Sequence, residues 1–185
     1  MSGNKTSFLL GISTLLFFGF GGILLIEFVQ DKPFLQVVDE GSTLSTQILA
    51  GAGVGVLAGA IALLIITRRF FKDEKDFYYG LISKLNLGYG EMVFLSLCAG
   101  IGEELFFRAG IQPLIGIWWT SVLFVLLHGY LNPKNWRISI YGVVMVGIIV
   151  GFGYLFETIG IFSAMAAHAT FDMVLFLNIT KKDEA

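Results

Sequence analysis

Three short patterns in this chain carry residues able to do acid–base chemistry. The first is Glu103-Glu104-Leu105-Phe106-Phe107-Arg108. On a helix, Glu104 and Arg108 are i,i+4 neighbours on one face and can form an ion pair. Glu103 points about 100° away and is left without that partner. Two adjacent carboxylates with one cation favour one ionised structural Glu and one Glu of raised pKa. A Glu of raised pKa suits general acid–base work near neutral pH. The second pattern is Phe124-Val-Leu-Leu-His128 and the third is His168-Ala-Thr-Phe-Asp172. Each again puts its end residues on one helix face. His128 and His168 are the chain's two histidines.

These residues lie in long apolar runs. The chain has 185 residues, of which 56% are hydrophobic and 14% charged. A soluble fold of this size needs a far more polar surface, with roughly 25% charged residues. The balance therefore excludes a soluble enzyme and a disordered chain. A net charge of −2 offers no basic footprint for nucleic acid. The single cysteine, Cys98, excludes an internal disulfide and a Cys-rich metal motif.

A bilayer crossing takes about 20 mainly apolar residues. Six such runs are read from the sequence: Thr6 to Ile26, Gly41 to Thr67, about Tyr89 to Ile111, about Ile117 to Leu131, Ile138 to Phe156 and about Ile161 to Ile179. The first reads as a retained span and not as a signal peptide, because no clear small-x-small cleavage site follows it. Between spans two and three stand Arg68, Arg69, Lys72, Lys75 and Lys84, and between four and five stand Lys134 and Arg137. Lys181 and Lys182 follow the sixth span. All these basic segments share one side if both termini are cytoplasmic, most simply in the cell membrane. Phe70, Phe71, Phe77, Tyr78, Leu81, Ile82 and Leu85 recur at helical spacing among the lysines, which predicts an amphipathic helix lying at the interface. The expected architecture is all-α: a polytopic helical bundle of about six transmembrane helices and one interfacial helix. It forms a single membrane domain over 1–185. Residues 1–88 hold two spans and the cytoplasmic amphipathic segment, and residues 89–180 hold a four-span core. Gly51, Gly55 and Gly59, and likewise Gly147 and Gly151, sit at the four-residue spacing of close helix packing.

Ionisable residues inside a membrane are costly and mark functional sites. If spans three and four turn near Gly116, Glu103 and His128 lie about 19 Å from the turn along each helix. If spans five and six turn at Thr158 to Gly160, Asp172 lies at about the same depth, with His168 one turn nearer the outside. That predicts one intramembrane site, open to cytoplasmic water.

With this order and spacing, each motif in its own span, the chain resembles the CPBP family of intramembrane proteases. These are also called CAAX proteases and bacteriocin-processing enzymes, or the ABI family. The family pattern is Glu-Glu-x-x-x-Arg, then Phe-x-x-x-His, then His-x-x-x-Asn or Asp. The resemblance implies a glutamate-dependent endopeptidase of the CAAX prenyl protease 2-like type. Glu103 would activate the attacking water, assisted by His128. His168 and Asp172 would stabilise the oxyanion, and Glu104 with Arg108 would hold the geometry. Asp172 stands where the family frequently has Asn. A carboxylate donates a hydrogen bond only when protonated, so its role shifts toward orienting His168 or a water. The implied substrate is a peptide or protein, lipidated or membrane-embedded, within the lipid bilayer.

The expectation is catalysis without a cofactor. Zinc is the alternative, with Glu103, His128, His168 and Asp172 as the ligand set, although no His-Glu-x-x-His signature occurs. If all four bound zinc, no position would remain for water. A Ser121, Ser163 or Cys98 nucleophile lacks a Gly-x-Ser-x-Gly context. A non-enzymatic immunity or scaffold protein is the reading from a different class.

Overall fold

A computed structural model describes residues 3–183 of the chain, with side chains described for residues 5–179. Lys181 and Lys182, used in the charge reading, fall outside the described side chains. The described residues form eight helices and no strand. Helix α1 runs over residues 3–29 as four consecutive pieces, Gly3–Thr14, Leu15–Phe20, Gly21–Leu24 and Leu25–Val29, two of them wide π turns. A short α2, Phe34–Asp39, follows Pro33. Helix α3 is Leu44–Ile66 and α4 is Lys72–Ser83. Helix α5 covers residues 89–115 as Tyr89–Glu104, a wide π stretch Leu105–Ile111, and Gln112–Ile115. Helices α6 Ile117–Leu127, α7 Trp136–Thr158 and α8 Ile161–Asp183 complete the chain.

Among the described residues, four stretches are long and apolar enough to cross a membrane: Lys5–Val29, Leu44–Ile66, Trp136–Thr158 and Ile161–Ile179. The expected third and fourth spans differ from these. Helix α5 is long, but Glu103, Glu104 and Arg108 interrupt its apolar run. Helix α6 has 11 residues and stops at Leu127, about 16 Å of rise. That is half a bilayer core of about 30 Å. His128 therefore caps a helix end inside the bundle instead of sitting in mid-helix. Large apolar side chains such as Phe17, Leu57, Leu64, Trp119 and Val143 point outward. An all-α bundle with such a surface is a membrane protein.

The turns fall where the spacing predicts. Gly116, between α5 and α6, has φ +82°, and Gly160, between α7 and α8, has φ +127°. Both lie in the left-handed region that glycine enters without steric cost. Gln47, buried in α3, accepts a bond from the Phe162 N–H at 2.9 Å and donates to the Ser42 carbonyl at 2.9 Å. It thus satisfies a donor at the start of α8 that the helix leaves open.

Helix α8 packs along α3 and α5. A Cβ at Gly51 would meet the Ser163 carbonyl, one at Gly55 the Ala167 carbonyl, and one at Gly59 the Val174 side chain. The Gly51-Gly55-Gly59 stripe is therefore a helix contact. The second stripe corrects the sequence expectation: a Cβ at Gly147 or Gly151 has nothing within 4 Å, because that face of α7 meets no neighbour among the described residues. A test follows directly. Gly55→Leu should strip most folded protein from detergent extracts, as the overlap is with backbone. Gly151→Ala should gain about 1 kcal/mol or less of helix propensity. Thermal melting of both variants by size-exclusion chromatography reads the contrast.

Helix α4 is the expected amphipathic segment, with one change. Phe71, just before it, is buried, whereas Phe77 and Leu81 are exposed. The inner face carries an acid, Glu74, which accepts a bond from Asn135 Nδ2 at 3.1 Å. Tyr79 Oη donates to Asn178 Oδ1 of α8 at 2.6 Å. Burial pushes the Tyr78 and Tyr79 phenols above their ordinary value, so both remain neutral donors.

Candidate active site

Glu104 ends the regular part of α5 and is wholly buried, as is Arg108. Arg108 Nε donates to Glu104 Oε2 at 3.0 Å. This i,i+4 pair is the one the sequence spacing predicts. The other Glu104 oxygen, Oε1, accepts from His168 Nδ1 at 2.8 Å, across 64 residues of sequence. Helix α8 comes close enough for this contact because Gly100 of α5 has no side chain: a Cβ there would lie 2.8 Å from the Met165 carbonyl. His168 Nε2 in turn faces Asp172 Oδ2 at 3.8 Å. His168 is thus held between two carboxylates, one at each ring nitrogen.

Glu103 faces the other histidine. Its Oε2 lies 3.4 Å from His128 Nε2, and that oxygen is buried without a hydrogen-bond partner. His128 Nδ1 donates to the Phe124 carbonyl at 2.7 Å. With Nδ1 carrying a proton, a neutral His128 presents a lone pair at Nε2. A carboxylate and an imidazole lone pair facing each other form a pair that shares one proton, the arrangement of an acid–base couple. The side chains of His128 and Glu103 are 35% and 12% exposed. Asp172 is also partly exposed, whereas Glu104 and Arg108 are sealed. The pairs are thus graded from an accessible Glu103–His128 to a closed Glu104–Arg108.

Phe124 joins them. Its ring stacks on His128, with centroids 4.2 Å apart and planes at 17°. It meets His168 edge-on at 5.7 Å and lies 5.7 Å from the Arg108 guanidinium carbon in a cation–π contact. One ring therefore sets both imidazoles and the buried cation. Tyr130, which sequence reasoning did not single out, lies on the other side of His128 with nearly parallel planes at 6.4 Å, and meets the Tyr78 ring of α4 at 5.4 Å with planes tilted by 50°. It follows His128, the end of the second motif, by only two positions, and that proximity was its only signal.

The six residues named from the sequence fall into two linked groups, Glu103 with His128 and Glu104 with Arg108, His168 and Asp172. Among the described residues, no three His, Cys, Asp or Glu side chains are grouped so as to hold a metal ion. Of the alternative zinc set, Glu103 faces His128 and Asp172 faces His168 Nε2. The hydroxyls of Ser121 and Ser163 donate to backbone carbonyls, and Cys98 is buried. None of the three is presented as a nucleophile.

Residues 86–174, which contain all of these groups, match the family described as type II CAAX prenyl endopeptidase Rce1-like. The match covers just under half of the chain and supports the resemblance to CPBP intramembrane proteases. A relative in sequence is the Bacillus subtilis (strain 168) protein named Uncharacterized protein YpbD. It is 34% identical over 89 residues, 48% of this chain and 45% of that protein. The chain thus spans less than half the length of the relative it matches. No solved structure matches the chain. The matched family is one of proteases, and the Glu-Glu-x-x-x-Arg, Phe-x-x-x-His and His-x-x-x-Asp residues all lie within the matched segment.

Proposed function

We propose that the chain is an intramembrane endopeptidase in which Glu103 activates water for attack on a peptide bond. The observation that carries this reading is the Glu103 Oε2 atom: buried, without a hydrogen-bond partner, and 3.4 Å from an imidazole fixed at its other nitrogen. A water between substrate and Glu103 loses a proton to the carboxylate as its oxygen bonds to the carbonyl carbon. The same proton then goes to the leaving nitrogen as the C–N bond breaks, with His128 sharing it in transit. The oxyanion formed between these steps takes a hydrogen bond from His168 Nε2–H. Presenting that N–H while Nδ1 donates to Glu104 requires imidazolium. Asp172 beside it orients the ring. An oxyanion donor of this kind is worth about 10²–10³ in rate.

In this reading the substrate is a peptide or protein chain reaching the site from the bilayer, and the distribution of basic segments supports cytoplasmic termini in a multi-pass protein of the cell membrane. The full chain should be reconstituted in liposomes with two internally quenched peptides of one sequence. One carries a farnesylated Cys-aliphatic-aliphatic-X end and the other is unprenylated. Mass spectrometry of membrane peptides, with and without the chain, identifies natural products. Cleavage of either peptide at a single bond supports the reading. Cleavage of neither, with no change in membrane peptides, supports the immunity or scaffold alternative.

The reaction is proposed to be metal-free. Metal analysis of active protein should give substoichiometric zinc, and activity should survive chelation. Stoichiometric zinc, with activity lost on its removal and restored by zinc alone, would assign Glu103, His128, His168 and Asp172 to a metal site after rearrangement.

A further inference from the structure

The Glu104–Arg108 pair does not end at Arg108. Arg108 Nη1 donates to Gln112 Oε1 at 3.2 Å. Gln112 Nε2 then donates to the Gly153 carbonyl at 3.1 Å and to Glu157 Oε1 at 3.0 Å. Residues 104, 108 and 112 follow one another along α5, and Gln112 is 2% exposed. The chain of bonds runs from His168 through Glu104, Arg108 and Gln112 to Glu157, which is exposed at the end of α7 opposite the His128 loop. Two features show that the fold accommodates this chain at a cost. A Cβ at Gly153 would lie 2.7 Å from Gln112 Oε1, so any side chain there displaces the amide from this position. Glu157 lies in the last turn of α7, where the helix dipole disfavours an acid.

We propose that Gln112 and Glu157 are positioning residues for the proteolytic site, setting His168 through Arg108 and Glu104. Arg108 is buried with Nη2 unpartnered, so the guanidinium is oriented by Glu104 on one side and Gln112 on the other. Releasing Gln112 lets it rotate. The Glu104 carboxylate follows, and with it the His168 ring that faces the oxyanion. Misplacement of about 1 Å at a group of this kind costs about 100-fold in rate. The residues touch no substrate, so the loss falls on kcat and not on KM. This inference rests on the protease reading, and its test separates the two.

The full chain is reconstituted with the prenylated and unprenylated quenched peptides. Gln112→Leu and Gly153→Ala are made alongside a reciprocal exchange, Gln112→Glu with Glu157→Gln. The exchange keeps an acceptor for Arg108 and a donor–acceptor pair between the two positions, whereas Gln112→Glu alone sets two carboxylates together. The expected result is a fall in kcat of about 100-fold for Gln112→Leu and Gly153→Ala with KM within threefold. Gln112→Glu should lose as much, and the exchange should recover at least tenfold of it. In parallel, NMR follows the hydrogen-bonded Nδ1 proton of His168, assigned by its loss in His168→Gln. That signal should broaden or vanish in Gly153→Ala and in Gln112→Glu, and return in the exchange. Should Gln112→Leu fail to fold, Gly153→Ala and the exchange carry the test. Unchanged kcat, or kcat lost with the His168 proton unaltered, overturns the proposal. If the wild-type chain cleaves neither peptide while the His168 proton still responds to Gly153→Ala, the protease reading fails and the positioning chain stands.

Discussion

Glu103→Gln should abolish peptide cleavage while the protein remains folded in the membrane. The amide preserves the size and the hydrogen-bonding oxygen near His128, but it takes no proton from water. General-base catalysis is worth about 10²–10⁴ in rate. The remaining oxyanion stabilisation cannot replace it, so turnover should fall by at least about 10³. Glu103 Oε2 makes no hydrogen bond within the fold and faces only His128, at 3.4 Å. Melting temperature and detergent yield should therefore match the wild-type chain. The measurement is single-turnover cleavage of the quenched peptides beside a thermal melt. Cleavage within tenfold of wild type would remove Glu103 from the mechanism.

Glu104→Gln should act on the opposite quantity. Glu104 accepts from Arg108 and from His168 at once, and both Glu104 and Arg108 have no exposure. Replacing the carboxylate leaves the Arg108 charge buried with a neutral partner. Breaking a buried pair in this way costs about 3–5 kcal/mol, a large share of the roughly 5–15 kcal/mol that holds a typical domain together. Yield of monodisperse protein should drop severely, and whatever folds should also cleave slowly, because His168 loses its carboxylate acceptor. A paired variant, Glu104→Gln with Arg108→Leu, removes the unpaired charge and should recover yield without recovering cleavage. Normal yield for Glu104→Gln alone would show that Arg108 does not depend on this partner.

The contrast between these neighbouring glutamates was legible in part. Helical geometry alone assigned Glu104 to Arg108 and turned Glu103 away, because an i,i+4 pair is a local property of the backbone. The apolar runs, the glycine turns at Gly116 and Gly160, and the amphipathic segment at α4 were legible for the same reason: each depends on residues within a few positions. So were the three motifs, since spacing on a helix survives without knowing what faces it.

What only the tertiary structure decided is which motif meets which. The sequence assigned Glu104 to support and His168 to the oxyanion, as separate groups. Helix packing at Gly100 joins them through a 2.8 Å bond, so support and chemistry share one carboxylate. Phe124 gives no sign in sequence that it touches both imidazoles and Arg108. Gln112 sits at helical spacing from Arg108, but an uncharged amide in an apolar run signals nothing until Gly153 and Glu157 are brought beside it from α7. The stripe at Gly51, Gly55 and Gly59 and that at Gly147 and Gly151 have the same spacing, yet only the first has a helix against it. Spacing along one helix fixes which side chains share a face. The direction that face points is set by the other helices, through close approaches between residues far apart in the chain, and no periodicity records those.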